Sequence, residues 1–316
     1  MYMNSKNISI AILLLLLIGA FGFLFTQQSD TVVVVENEPT DMEEEVMPVE
    51  PDNGIGNGAE PIPQAEARGP ESVIGTSVSG NEITAYHFGS GEKEVLFIGG
   101  IHGGYSWNTA LVAYEMIDYL EANPSIIPDN VSVTIIPVAN PDGLESAVGA
   151  TGRFEASKAS AISDAARTAG RFNANEVDLN RNFDCEWSEN ATWQSRSVSG
   201  GKSPFSEPEA AAIQNYVNMY KPSAAVVWFS SEGKVYPSAC AGVPSKASVE
   251  LAATYATAAG YPAAAEFNAY AITGDMVNWM AKQNIPAISV LLTDHKNTEW
   301  NKNKAGIEAV LKAIAE

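Results

Sequence analysis

The sequence predicts an α/β domain, a mixed and largely parallel sheet with helices on both faces, behind an N-terminal transmembrane helix and an acidic tether. Three observations carry this. From about Ser72 to the end, short apolar runs alternate with stretches of helical periodicity. Several runs stop at Gly99-Gly100 or Asn140-Pro141-Asp142-Gly143, as buried strands do where they enter loops. Finally, Ile8 to Phe25 is almost entirely apolar, and a long acidic, proline-bearing segment follows it.

The apolar run is long enough to cross a bilayer as a helix. Lys6 precedes it and no Lys or Arg follows before Arg68, so the positive-inside rule exports everything downstream. Phe23-Leu24-Phe25-Thr26 offers no small-residue cleavage site. The expectation is therefore a signal anchor over residues 1–26, with a domain outside the cytoplasm; secretion after cleavage is the alternative. Residues 27–71 read as a solvated tether, because repeated Asp and Glu repel and prolines at 39, 48, 51, 61 and 63 block regular structure. The globular part is residues 72–316.

Within it, Val73–Val78 and Glu82–Phe88 flank a Gly80-Asn81 turn signal, as a hairpin would. Glu94–Ile98, Val131–Val138, Ala224–Phe229 and Ala287–Leu292 read as strands. Trp107–Leu120, a helix to Tyr220 opened by a Ser206-to-Glu209 capping box, Asp275–Lys282 and Asn303–Ala315 read as helices. In such sheets, sites form where strands end in loops.

Charge excludes whole classes of function. Lys and Arg total 18 against 38 Asp and Glu, a net charge of −20, which argues against nucleic acid and anionic lipid as partners. Two cysteines exclude a disulfide-dense scaffold or a cysteine zinc cluster. The sequence holds three histidines, His87, His102 and His295.

An ordered set of motifs then emerges. Phe97-Ile98-Gly99-Gly100-Ile101-His102-Gly103-Gly104-Tyr105 is followed by Asn140-Pro141-Asp142-Gly143 and by Val177-Asp178-Leu179-Asn180-Arg181-Asn182-Phe183. Later come Tyr270-Ala271-Ile272-Thr273-Gly274-Asp275 and Leu292-Thr293-Asp294-His295. Together, over roughly residues 75–316, these resemble the zinc carboxypeptidase family, which contains the digestive carboxypeptidases A and B. The resemblance implies an α/β/α sandwich around a mixed, twisted sheet. It also implies a zinc ion held by a histidine, a glutamate three or four residues later and a second histidine at a later strand end. A separate glutamate serves as general base, an Asn-Arg pair holds the substrate's terminal carboxylate, and a further arginine polarises the scissile carbonyl.

Measured against that recipe, most reactive positions are replaced. His102 matches the first histidine. The glutamate position falls on Tyr105 or Ser106, and the next acid is Glu115. The second histidine falls on Ser230, and the base on Leu291. One imidazole does not retain zinc, and leucine accepts no proton. The expectation is a catalytically inactive domain without a cofactor. Glu232 and His295 are the replacement ligands that would have to join His102 in an active hydrolase. Serine mechanisms through Ser106 or Ser230 lack a nucleophile elbow, and Ser199-Gly200-Gly201-Lys202 is a short match of the kind loops produce by chance.

Other positions keep their family identity. Asn180 and Arg181 match the carboxylate clamp, with a structural salt bridge as the plainer reading of the arginine. Arg171 matches the carbonyl-polarising arginine, with Arg167 an alternative. Tyr270 resembles the mobile tyrosine over the substrate, or is an ordinary half-buried one. Val277 then falls by the side-chain pocket and suggests apolar preference. Cys185 and Cys240 are a disulfide candidate outside the cytoplasm, with free buried thiols as the alternative. The functional expectation is a membrane-tethered carboxypeptidase-like domain that captures peptide or protein C-termini. An active zinc carboxypeptidase with replacement ligands and a non-binding structural domain are the alternatives.

Overall fold

The central strands form because their sequences are apolar on both faces. Leu96, Phe97 and Ile98, or Val226, Val227 and Trp228, send successive side chains to opposite sides of a sheet, and all are fully buried. The structure, a computed structural model, describes residues 68–159 and 161–316. Among these residues the main sheet has seven strands, in the order β1 (Glu71–Thr76), β2 (Glu82–Gly89), β4 (Val131–Ile136), β3 (Lys93–Ile98), β7 (Ala224–Ser230), β9 (Ala287–Leu292) and β8 (Lys234–Pro237). The four inner strands β4, β3, β7 and β9 are parallel; β1, β2 and β8 are antiparallel to their neighbours. A small hairpin, β5 (Asn190–Trp193) with β6 (Arg196–Ser199), stands apart from it.

One face carries Val95, Phe97, Trp228, Ile288 and Val290. It packs against α1 (Trp107–Ala122), α6 (Lys246–Ala259) and α8 (Trp300–Ala315). The other carries Leu96, Ile98, Val227 and Phe229 and packs against α5 (Pro208–Tyr220) and α7 (Met276–Lys282). Two shorter helices, α2 (Pro141–Val148) and α4 (Asp164–Ala169), flank the loops at the strands' C-terminal ends, and α3 (Ala156–Ala159) lies between them in the chain. Each fully buried large aliphatic or aromatic side chain contributes roughly 1.5–3 kcal/mol. A sheet covered on both faces is the layering expected from the sequence.

Several local expectations need correction. The capping box at the start of α5 does not form. Glu207 is the N-cap residue without a side-chain cap bond, while Ser206 Oγ donates to Glu207 Oε1 and accepts from Asn182 Nδ2. Pro208 at the first helical position supplies the start signal instead. Asn140-Pro141-Asp142-Gly143 ends a strand and also opens α2, with Asn140 Oδ1 accepting from Gly143 N at 2.8 Å. The helix α6 and the strands β5, β6 and β8 have no counterpart in the sequence reading.

The tether expected over 27–71 overlaps the domain at its end. Arg68 donates to Glu94 and Tyr216, its guanidinium lies 4.2 Å from the Tyr220 ring centroid, and Glu71 already belongs to β1. The rest of the tether and the transmembrane helix expected over 1–26 lie outside the described residues. No described helix is long and apolar enough to cross a membrane.

Candidate functional site

The parallel strands β3, β7 and β9 end side by side, and the loops that leave them bring the candidate residues together. After β3 the chain turns through Gly99-Gly100-Ile101 to His102. Gly103 has φ +40°, and a Cβ there would stand 2.7 Å from the Gly143 backbone, so only glycine lets this loop pack on the start of α2. Tyr105 N and Ser106 N both donate to the His102 carbonyl, at 2.9 and 3.4 Å, in the turn that becomes α1.

His102 is 5% exposed, and its ring lies against Phe229. Its Nε2 is 3.5 Å from Asp178 Oδ1, which is electrostatic contact and too long for a good hydrogen bond; neither ring nitrogen has a closer partner. Burial first, and then the Arg171 charge, push this imidazole down to about 4, so it is neutral at pH 7. Asp178 is fully buried. Burial alone would raise its carboxyl, but the Arg171 guanidinium beside it, with His102 and Arg181, holds it far below the usual carboxylate range. Arg171 Nε and Nη2 both donate to Asp178 Oδ2 at 2.8 Å, and Arg171 stacks 4.4 Å from the Trp193 ring centroid.

Asn180 and Arg181 lie in a 3₁₀ turn, Leu179–Arg181. Asn180 spends its amide on the protein. Nδ2 donates to Asp275 Oδ2 at 2.7 Å, and Oδ1 accepts from Met276 N at 3.1 Å, which fixes the start of α7 to the turn. Arg181 is 1% exposed and donates to two carbonyls, Thr192 O from Nε and Asn180 O from Nη1. Among the described residues no carboxylate lies within ion-pair distance of it, so the structural salt bridge is not what is found. Tyr270 covers it, with the Arg181 Cζ 5.9 Å from the ring centroid, and burial raises the phenol above its ordinary range. Gly274 holds the Tyr270 loop down. Its N donates to Cys185 O and its O accepts from Phe183 N, and its α-carbon comes so close to Arg181 that a Cβ would stand 2.1 Å from the Arg181 carbonyl oxygen.

These groups line a cavity of about 620 Å³, whose walls include His102, Arg171, Asn180, Arg181, Tyr270 and Leu291. The structure thus gathers all the clamp and assisting candidates. Arg171 lines the cavity, whereas Arg167 does not and pairs with Asp164 at 2.9 Å. The replaced positions are also close at hand. Ser106 is the N-cap residue of α1, one turn beyond His102, buried with its Oγ unpartnered. The Tyr105 ring turns instead toward Trp193 and His295, at 5.0 and 4.6 Å between centroids. Ser230 ends β7 and donates to Asn108 Oδ1 at 2.8 Å, and Leu291 faces the cavity from β9.

Other expected residues fall elsewhere. Glu232 pairs with Lys234 at 2.7 Å, and His295, with burial lowering its imidazole to about 4, leans on Tyr105. Glu115 bonds Thr298 away from the cavity. Val277 is buried in the core between sheet and α7 and, contrary to the sequence reading, does not line the cavity; the N-cap residue Asp275 does. Cys185 and Cys240 form a disulfide with Cα atoms 5.7 Å apart. Sequence reasoning gave no role to Asp178, Trp193 or Asp275. Asp178 at least stood inside a recognised motif.

A zinc ion does not fit the residues present. Among the described residues no three or more of His, Cys, Asp and Glu gather so as to hold a metal, and at the family position stand one imidazole, two serine hydroxyls and a leucine. The set His102, Glu232 and His295 is not assembled.

The sheet, the motif order and the clamp define a carboxypeptidase-like protein, and the chain belongs to the zinc carboxypeptidase (peptidase M14) family, which matches residues 70–313. It is 26% identical over 217 residues to gamma-D-glutamyl-L-diamino acid endopeptidase 1 of Lysinibacillus sphaericus, covering 63% of this chain and 54% of that one. It is 33% identical over 123 residues to carboxypeptidase Z of Homo sapiens, covering 35% and 17%. The chain therefore spans about half of the first relative and a small part of the second. In fold it is similar to the carboxypeptidase A of Helicoverpa armigera, with TM-score 0.61 and 18% identity over 78% of this chain and 68% of that one. The murein-tripeptide amidase MpaA of Escherichia coli O157 gives TM-score 0.54 and 19% identity over 79% and 93%.

Proposed function

We propose that this chain is a membrane-tethered carboxypeptidase-like domain that binds peptide C-termini outside the cytoplasm without hydrolysing them. The observation that carries the binding is Arg181, a buried guanidinium in a cavity wall with no carboxylate of a described residue within ion-pair distance. Burying such a charge is costly unless an anion joins it, and a C-terminal carboxylate has the bidentate shape that the guanidinium fork accepts. Tyr270 and Trp193 supply apolar walls for the last residue, and Arg171 stands where a peptide carbonyl would pass.

Loss of hydrolysis follows from chemistry. Zinc lowers the pKa of a bound water to about 7 and a general base contributes about 10²–10⁴-fold; Ser106, Ser230 and Leu291 provide neither. The Cys185–Cys240 disulfide supports an oxidising compartment, and with the Ile8–Phe25 run it supports export and tethering.

The test is binding of a fluorescein-labelled hexapeptide ending in a free carboxylate against its C-terminal amide. A charge-assisted contact worth about 1.5–3 kcal/mol predicts that the acid binds roughly 10- to 150-fold more tightly, and that Arg181→Met removes the difference. Equal affinity for acid and amide overturns the binding reading. Release of the last residue by the unaltered protein in the presence of zinc overturns the inactive reading.

A further inference from the structure

A ring of bonds fastens the clamp turn to its neighbours. Asn180 holds the start of α7 through Asp275 and Met276. Phe183 N donates to Gly274 O at 3.0 Å and Gly274 N donates to Cys185 O at 2.7 Å, so the end of the Tyr270 loop is pinned to the segment that follows Arg181. Further along α7, Ala239 N donates to Asn278 Oδ1 at 3.0 Å, which brings the chain after β8 to the same helix. The Cys185–Cys240 disulfide joins that chain to the clamp segment across 55 residues of sequence and closes the ring covalently.

Little else could do so. Among the described residues, Cys240 to Pro244 take part in no hydrogen bond or ion pair. This run holds Ala241 at φ +54° and Gly242 at φ +130°, and its Val243 is 89% exposed. On the clamp side, the ion pair between Asp184 and Lys282 is about half exposed, and such pairs contribute little. Gly274 packs directly on the Arg181 backbone, so a shift of the Cys185 segment reaches the clamp and the Tyr270 loop together. A guanidinium fork grips a carboxylate bidentately only when its plane is correctly aimed, and that aim is what the ring sets.

We infer that the Cys185–Cys240 disulfide positions the clamp, so that the oxidised protein captures peptide C-termini and a dithiol switches the capture off. This rests on the C-terminus reading above. In the switching step the S–S bond breaks, each sulfur takes up one electron and one proton, and the dithiol that supplies them becomes a disulfide. Cys185 is buried and Cys240 half-buried, so the reagent meets the bond from the Cys240 side. The chain has two cysteines, and a thiol reagent therefore acts on this bond alone.

The experiment uses the full protein with the labelled hexapeptide acid and amide, in three states: oxidised, reduced by excess dithiothreitol, and reoxidised. Reduction should shrink the acid-to-amide affinity ratio at least about fivefold while the amide's own affinity stays within about twofold, and reoxidation should restore the ratio. The C185S/C240S variant should match the reduced protein in either buffer. Amide hydrogen exchange should quicken over residues 179–186 and 268–276 and stay unchanged over β3. A ratio equal in oxidised and reduced protein overturns the positioning role and spares the C-terminus reading. Exchange that quickens in β3 as much as at the clamp overturns it too, because the bond then holds the whole domain. No difference between acid and amide in the oxidised protein overturns the C-terminus reading and this inference with it.

Discussion

Asp178→Ala should cost the domain a large part of its stability. Asp178 and Arg171 are 0% and 3% exposed at their side chains, and the carboxylate accepts two guanidinium N–H groups at 2.8 Å as well as Asn180 N at 3.2 Å. Removing it leaves a guanidinium without a counter-charge among Trp193, Tyr105 and His102, and breaking such a buried pair costs about 3–5 kcal/mol. Against a total stability of about 5–15 kcal/mol, that is a large fraction. With a urea slope of about 1–3 kcal/mol per molar, the unfolding midpoint should fall by more than about 1 M. Arg171→Met combined with Asp178→Leu should restore most of the loss, because an apolar pair of similar volume carries no desolvation penalty. Urea titrations followed by tryptophan fluorescence measure all three proteins. A single-variant loss below about 1 kcal/mol, or a double variant as damaged as the sum of its parts, would refute the claim that this buried ion pair stabilises the domain.

Three more outcomes are expected. His87, His102 and His295 all titrate near 4 in the folded chain against 6.5 when unfolded, so the unfolded chain binds more protons between those values. Stability should therefore be full above pH 6.5 and fall as pH drops toward 4, by roughly 3 kcal/mol for buried His102 and less for the more accessible pair; midpoints unchanged from pH 7 to 4.5 would contradict this. Gly274→Ala places a Cβ 2.1 Å from the Arg181 carbonyl oxygen at φ +63°, and should weaken acid-terminated peptides at least about tenfold by moving clamp and Tyr270 loop apart; unchanged affinity with unchanged folding would count against that coupling. Finally, the S106E/S230H/L291E variant should hold about one equivalent of zinc after dialysis while the unaltered protein holds less than about a tenth, and elemental analysis decides; equal metal in both would show that the three positions are not what excludes it.

How far the sequence reaches depends on how local each signal is. The β9 strand was readable to its last residue because Ala287–Leu292 is an apolar run between a proline and a polar loop. The β1–β2 hairpin and α1 followed from equally local patterns. In α6 the buried face is Leu251, Ala252, Tyr255, Ala256 and Ala259, mostly alanine, so periodicity had little contrast. Its caps did carry a signal, since Ser245 accepts from Ser248 N and Gly260 adopts φ +70°. At the site, the identities of His102, Asn180 and Arg181 were legible, but their partners were not. The bond from Asn180 to Asp275 spans 95 residues, and no local pattern shows that the clamp amide is already engaged. Val277 was misplaced for a related reason, since the direction in which α7 faces the sheet decides whether residue 275 or 277 reaches the cavity. The choice between Tyr105 and Ser106 needed the turn itself, which sends the Tyr105 ring to Trp193 and buries Ser106 at the N-cap of α1.

The strand order also dictates when parts of this protein can take their places during synthesis. Among the described residues the only strand ladder β8 joins is with β9, more than one helix later in the chain, although Lys234–Pro237 follows β7 almost directly. A nascent chain that has produced β7 and β8 therefore has a place for the first beside β3, while the ladder that seats the second in the sheet waits for β9. Cys240, three residues beyond β8, shares that delay, while Cys185 is made well before it. The two sulfurs meet in their native register only once residues 287–292 have been added and threaded between β7 and β8. Until then the chain carries two unpaired thiols and an open sheet edge at β7, so oxidation that comes before β9 is in place closes the loop outside its native register.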